Sequence, residues 1–165
     1  VWIRGEKFAD AEALLRNTLE LFTGRLPIDH QYVASAEYYL GEALVAQKKL
    51  ANAERVLTAS IERCKRNGAP AWRSARSVNA LGEIFHQLGR SQDAERYLVD
   101  SYRVLIAAPA ADQDSKRLAQ QRITRFYTEL KQRNKLDALL RERAQENVSP
   151  AAAKGQPPAA STTQS

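Results

Sequence analysis

The chain is poor in the residues that build metal centres and disulfides. It contains one cysteine, Cys64, and two histidines, His30 and His86, among 165 residues. A single cysteine cannot form an intrachain disulfide or a CxxC motif. The two histidines lie far apart, with no HExxH motif or paired carboxylates between them. We therefore predict no metal site and no cofactor, and we expect Cys64 to be an inert thiol on a helix surface or half-buried.

Long apolar runs are also missing. No segment approaches the roughly 18 consecutive apolar residues that a membrane-spanning helix needs. We see no charged start followed by an apolar stretch and a small-residue cleavage site, the pattern of a signal peptide. Because 44% of the residues are apolar, the chain can still bury the core of one domain. We predict a soluble globular protein with a cytoplasmic location.

Catalytic motifs and nucleic-acid motifs are absent as well. The sequence has no GxGxxG, GxxxxGK[ST], GxSxG, HRD or DFG motif, so no enzymatic activity is predicted for this segment. The net charge is +6, but acidic residues are interspersed with the basic ones and no aromatic-interleaved basic patch accompanies them. Nucleic acid is therefore not the expected partner.

The sequence does contain an internal repeat. Leu40-Gly41-Glu42 followed by Ala53-Glu54-Arg55 recurs 41 residues later as Leu81-Gly82-Glu83 followed by Ala94-Glu95-Arg96. Weaker copies lie on both sides at a shift of 42 residues. The chain thus has about three and a half units, and periods of this length are typical of stacked helical repeats.

Each unit has the apolar spacing of two helices joined by a short turn. Gly68 and Pro70 are predicted to end one helix and to open the next. No polar–apolar alternation long enough for a strand is present. The predicted fold is all-α, a right-handed α-solenoid of antiparallel helix pairs. Its single domain covers 1–147, with repeats at about 1–26, 31–68, 71–108 and 114–147.

The predicted core follows the repeat. Gly41 and Ala53 are placed where the helices of a pair cross, because small side chains let two backbones approach closely. The residues expected to be buried are Leu40, Leu44, Ala53, Leu57, Leu81, Phe85, Ala94, Leu98, Ile123, Tyr127 and Leu140. Residues 148–165 are rich in Ala, Pro, Ser and Thr, and we predict a disordered tail that is dispensable for folding.

These units resemble the tetratricopeptide repeat, whose pattern is W-x2-L-G-x2-Y, then A-x3-F, then P. The third unit matches best, with Leu81-Gly82-x2-Phe85 and Ala94-x3-Leu98, although Val78 replaces the Trp and Ile106 lies where the Pro would fall. The period of about 41 residues and the entry segment 26–34 are similar to the long kinesin-light-chain variety, which is common in bacterial proteins. The resemblance covers about residues 1–147.

The resemblance implies a protein–protein interaction scaffold that binds a peptide or partner protein in a concave groove. The alternative is a regulatory or substrate-docking segment at the C-terminal end of a bacterial serine/threonine protein kinase, and a purely structural array is a third reading. Trp2 aligns near the end of a first helix, so we expect a fragment. The apolar face of the following helix, with Leu14 and Leu15, would then be partly uncovered, and self-association through this N-terminal edge is also expected.

The groove is predicted from the helical period. If Gly41, Gly82 and Thr124 face the second helix of each pair, the residues three before and one after them lie on the inner face. Asn79 is expected to be the most specific, because its amide can donate to and accept from a peptide backbone. A solvated face without a ligand is the alternative. The candidate binding residues are Tyr38, Glu42, Arg76, Asn79, Glu83, His86, Gln121, Arg122 and Arg125.

Overall fold

A computed structural model describes residues 7–152, with side chains described as far as Glu142. This part of the chain consists of seven α-helices and contains no strand, which confirms the all-α prediction. The helices are α1 Phe8–Arg25, α2 Gln31–Ala46, α3 Leu50–Arg66, α4 Ala71–Gln87, α5 Ser91–Ala107, α6 Gln113–Glu129 and α7 Arg133–Ala152. Two compact units are present: one ends at Phe126 within α6, and the other begins at Tyr127.

Successive helices of the first unit pack as antiparallel pairs. Helix α2 packs against α3, and α4 packs against α5. The pairs also contact each other, because α4 touches both α3 and α2, while α1 packs on α2. Each pair thus covers the apolar face of the next, which is the α-solenoid arrangement that the repeat predicted.

Two glycines bring the helices of each pair together. A Cβ atom added to Gly82 would lie 2.8 Å from Leu98 Cγ, and one added to Gly41 would collide with the side chain of Leu57. Ala53 and Ala94 are fully buried, as predicted. The close approach at Gly41 is confirmed, but the side chain that presses on this glycine is the leucine one turn after the alanine.

The turns between helices use left-handed backbone conformations. Gly68 has φ 65° directly after the end of α3, and Pro70 is the N-cap of α4, as the sequence predicted. Within each pair, Lys48 has φ 61° and Gly89 has φ 73° at matching positions of the repeat. Lys131, between α6 and α7, has φ 55° at the corresponding position, so two of these turns place a lysine in a conformation that favours glycine.

Besides packing on α2, helix α1 is attached through the Glu12 carboxylate. Glu12 accepts a hydrogen bond from Lys49 Nζ at 2.7 Å and another from Gln47 Nε2 at 2.9 Å, and it pairs with Arg16 one turn away. Its lysine and arginine partners lower the pKa of Glu12 from 4.5 to about 2. A charged Glu12 therefore ties α1 to the turn between α2 and α3.

The predicted core is buried except at one position. Leu140 is half-buried, whereas Leu136 and Leu139 of α7 are buried, so the apolar side of this helix lies one residue earlier than the repeat shift predicted. Cys64 was predicted on a helix surface or half-buried, but it is buried because α3 packs against α4, and burial raises the pKa of its thiol. Helix α7 continues through residues 148–152, while the rest of the predicted tail, 153–165, lies outside the described residues.

Candidate functional site

The predicted binding residues lie on α2, α4 and α6. These helices line a cavity of about 690 Å³, which Phe8 of α1 also borders. We call this cavity the inner groove. Tyr38 and Tyr39 line it together with Leu118, and charged side chains of both signs surround them.

Arg122 forms the centre of the groove floor. Its Nη2 lies 2.6 Å from Glu42 Oε2 and its Nη1 lies 3.1 Å from Glu42 Oε1, so the guanidinium binds this carboxylate at two points. The same Nη1 donates to Asn79 Oδ1 at 3.1 Å. Burial opposes the charge of Arg122, but the Glu42 carboxylate outweighs it and raises the pKa of the guanidinium. A charged Arg122 thus joins α6 to both α2 and α4.

Glu83 anchors a second part of the floor. Arg125 Nη2 donates a short hydrogen bond to Glu83 Oε2, and Gln87 Nε2 donates to Glu83 Oε1 at 2.6 Å. Arg122 Nε lies 3.9 Å from the same carboxylate. Both carboxylate oxygens of Glu83 are therefore engaged by side chains of the chain itself.

The side-chain amide of Asn79 forms hydrogen bonds within the protein. Its Nδ2 donates to Ser101 Oγ at 2.9 Å, its Oδ1 accepts from Arg122, and the residue is 2% exposed. The structure does not test the peptide contact predicted for Asn79. It does show that this amide connects α4 with α5 and α6. Because Asn79 is also buried, its amide is not exposed to a peptide lying in the groove.

Tyr38 and Arg76 lie side by side below the surface. The Arg76 guanidinium carbon is 4.4 Å from the centre of the Tyr38 ring, and Arg76 Nη2 donates to Ser35 Oγ at 2.9 Å. Burial raises the pKa of Tyr38, so its phenol stays protonated at neutral pH. Both residues are buried.

The remaining candidates lie nearer the surface. Gln121 is exposed, and half of the Arg125 side chain is exposed. His86 is half-buried, with its ring edge-on to Phe126 at 5.2 Å. The inner groove therefore has a buried, hydrogen-bonded floor and a more exposed rim, whereas Arg76, Asn79 and His86 do not line the cavity.

Sequence reasoning missed the part of the rim that comes from the start of α6. Asp114, Arg117 and Leu118 line the inner groove together with Gln121 and Arg125. These residues follow a spacing of three and four along one helix, which places them on one face. Extending the same period towards the start of α6 would have identified them.

The fold and this face define a helical repeat scaffold. Within the described residues, no group of His, Cys, Asp and Glu side chains could hold a metal ion. Among the helices of residues 7–152, none combines the length and apolar character needed to span a membrane.

Comparison with known families gives the class of repeat. Residues 32–107, which comprise nearly all of α2 and the whole of α3 to α5, match the sequence model of the tetratricopeptide repeat. The match supports an array of tetratricopeptide repeats in this segment. Repeats of this type generally mediate protein–protein interaction and are not catalytic. No curated protein matches the chain.

Proposed function

We propose that the chain is a protein-interaction scaffold that binds an extended segment of a partner protein in the inner groove. The observation that carries the proposal is the groove floor. Glu42, Asn79 and Glu83 are held by Arg122 and Arg125. These three side chains are already hydrogen-bonded within the chain, so the floor needs little reorganisation when another protein binds.

The groove has the size and chemistry for a peptide. A volume of about 690 Å³ accommodates a few side chains rather than a globular surface. Tyr39 and Leu118 offer apolar contacts, while Lys48, Arg117 and Asp114 present charges of both signs at the rim. This combination suits a segment that inserts one or two apolar side chains and forms polar contacts around them.

The ion pairs also argue against a catalytic role for the two glutamates. Glu42 is bound at two points by Arg122, and Glu83 is bound by Arg125 and Gln87. A general acid or base must be free to exchange its proton with a substrate. We assign both carboxylates to holding α2, α4 and α6 together.

Blocking the groove tests the proposal. The Gln121→Trp variant places a bulky ring at an exposed rim position without removing any described floor contact. Gln92→Trp, at an exposed position of α5, is the matched control. A partner identified by pull-down from the native host and then purified should bind the parent chain and Gln92→Trp equally in calorimetry.

The Gln121→Trp variant should bind this partner at least about tenfold more weakly, as expected when a bulky side chain blocks part of the contact area. Circular dichroism should show that all three proteins are folded. Equal binding by Gln121→Trp and the parent would move the interaction site out of the inner groove.

Several finer predictions remain proposals from the sequence: the long kinesin-light-chain variety, the kinase-associated alternative, self-association and a cytoplasmic location. The reading frame upstream of Val1 tests the kinase alternative, because HRD and DFG motifs there would identify a kinase domain. Sedimentation over a range of protein concentrations tests self-association at α1, where Leu14 and Leu21 are exposed.

A further inference from the structure

The outward side of helix α1 is apolar near its middle. Leu14 is 67% exposed, and Leu21, two turns later on the same side of the helix, is 55% exposed. Among the helices within residues 7–142, α1 alone carries two exposed large apolar side chains. Apolar side chains in such a row on a helix are usually covered by another element.

Opposite charges lie at the two ends of this apolar row. Asp10 lies one turn before Leu14, and Arg25 lies one turn after Leu21. Both charged residues are exposed, and neither forms an ion pair with another described side chain. Asn17, between the two leucines, is also exposed. We call these five residues the outer stripe of α1.

The order of residues in the outer stripe is self-complementary. The midpoint between Leu14 and Leu21 in the sequence is also the midpoint between Asp10 and Arg25, and it falls just after Asn17. Two copies of α1 that cross antiparallel at this point place Leu14 of each copy beside Leu21 of the other. The same twofold axis places Asp10 of each copy beside Arg25 of the other.

We propose that two copies of the chain associate through the outer stripe, as an antiparallel pair of α1 helices related by a twofold axis. Charge complementarity selects a second copy as the occupant, because the acidic end of one stripe faces the basic end of the other. A parallel pair would place like charges together at both ends. The exposed leucines alone predict self-association at this edge, and the charges give its direction and register.

This surface is separate from the inner groove. Phe8 is the residue of α1 that borders the groove, whereas the outer stripe contributes no residue to the groove lining. The dimer therefore presents two inner grooves. Association of the chain with itself can be measured without any partner, so its failure is distinguishable from failure of the groove to bind one.

We expect a weak dimer. Two helices of 18 residues, each with two exposed leucines, bury less than the roughly 1,200 Å² of a stable interface. The ion pairs at the ends are exposed, so they add little affinity and are screened by salt. Sedimentation equilibrium at low ionic strength, up to about 500 µM chain, detects even a dimer with a Kd of about 1 mM.

The first experiment tests the apolar centre of the stripe. The parent chain should show a reversible monomer–dimer equilibrium. Leu14→Glu should weaken dimerisation at least about tenfold, because it places a charge in the apolar contact. Leu88→Glu is the matched control, since Leu88 is 51% exposed but lies between α4 and α5. A parent chain that stays monomeric, or equal weakening by both substitutions, overturns the proposal.

Charge reversal tests the direction of the pair. Asp10→Arg and Arg25→Glu each place like charges at both ends of the antiparallel pair, so each variant should dimerise about tenfold more weakly than the parent at low ionic strength. In a parallel pair either reversal only exchanges one like pair for another. Unchanged dimerisation of both variants would therefore contradict the antiparallel arrangement.

Mixing the two variants separates contact between copies from effects within one helix. The helix dipole also favours Asp10 in the first turn and Arg25 in the last turn of α1. That loss persists in an equimolar mixture, but the mixed pair has opposite charges at both ends. The mixture should therefore recover dimerisation to within about threefold of the parent. No recovery, with both variants folded by circular dichroism, overturns the proposal.

Cross-linking tests the register. Near the twofold axis, Asn17 lies beside Asn17 of the second copy, whereas the two copies of Gly24 lie about 20 Å apart at a rise of about 1.5 Å per residue. A short bismaleimide cross-linker should join Asn17→Cys chains and leave Gly24→Cys chains single. The parent, whose Cys64 is buried, should not be joined. Equal linking of Asn17→Cys and Gly24→Cys contradicts the proposed register.

Discussion

Arg122 on α6 and Glu42 on α2 form a two-point ion pair across 80 positions of the sequence. The first helices of these two pairs are separated in the chain by the whole α3–α5 segment. Asn79 of α4 lies between them and accepts from the same guanidinium. The inner face is therefore held by side chains that connect the three helices α2, α4 and α6.

This ion pair predicts a strong energetic coupling. Arg122→Met would leave the Glu42 carboxylate, whose side chain is 13% exposed, without its partner and should cost about 3 kcal/mol. In a double-mutant cycle with Glu42→Gln, urea unfolding should give a coupling energy of about 1–3 kcal/mol. The exposed pair Arg117–Asp114 is the control and should give less than about 1 kcal/mol. Equal coupling in the two cycles would contradict the structural role of the floor.

Gly82 predicts how tightly the third repeat is packed. Gly82→Ala places a methyl group 2.8 Å from Leu98 Cγ and should lower the free energy of unfolding by about 1–3 kcal/mol. Gly24 is the matched control, because it lies in helix α1 with nothing within 4 Å of an added Cβ. Gly24→Ala should be neutral or stabilise by up to about 1 kcal/mol. Thermal unfolding of both variants distinguishes crowding from helix propensity.

Glu12 predicts an acid-sensitive attachment of α1. Its folded pKa of about 2 is below the ordinary value of 4.5, so its stabilisation is present above pH 4.5 and is lost as the pH falls towards 2. At pH 7, Glu12→Gln should cost about 1–2 kcal/mol, since its Lys49 and Arg16 partners are half-exposed. The difference from the parent should vanish near pH 2. Glu54→Gln, at an exposed position, should show no such pH-dependent difference.

The turn within each pair predicts an asymmetry between two equivalent positions. Gly89 has φ 73° and nothing within 4 Å of an added Cβ, so the cost of Gly89→Lys comes from the backbone alone. We expect a loss of about 1 kcal/mol, whereas Lys48→Gly should be neutral or stabilising. Chemical denaturation measures both. A Gly89→Lys variant as stable as the parent would show that this turn changes its conformation.

The helices and their pairing could be predicted because their signals are local and repeated. Leu40-Gly41 and Leu81-Gly82 recur with the same internal spacing, and Gly68 with Pro70 lies at a helix boundary as expected. The prediction failed at Leu140, in the unit that departs most from the repeat. There a match of single apolar residues at one shift could not determine which side of α7 is buried.

The candidate face could be predicted from the sequence, but the burial and hydrogen bonding of its individual residues could not. Helical period placed Asn79, Arg122 and Gln121 on one side of the stack. Of these, Asn79 and Arg122 are buried and bonded to other helices, while Gln121 remains exposed. Polar side chains predicted on the same side of the stack differ in exposure because their neighbours come from segments tens of residues away.

The amino-acid sequence by itself determined the secondary structure, the repeat and the small residues at the helix crossings. Each of these depends on backbone propensities and on spacings within about 40 residues. Only the tertiary structure decided that Arg122 is paired with Glu42, that Asn79 is covered, and that Arg76 is buried among aromatic rings. Electrostatic interactions act through space, so the same arginine can be compensated or uncompensated according to which helix packs against it.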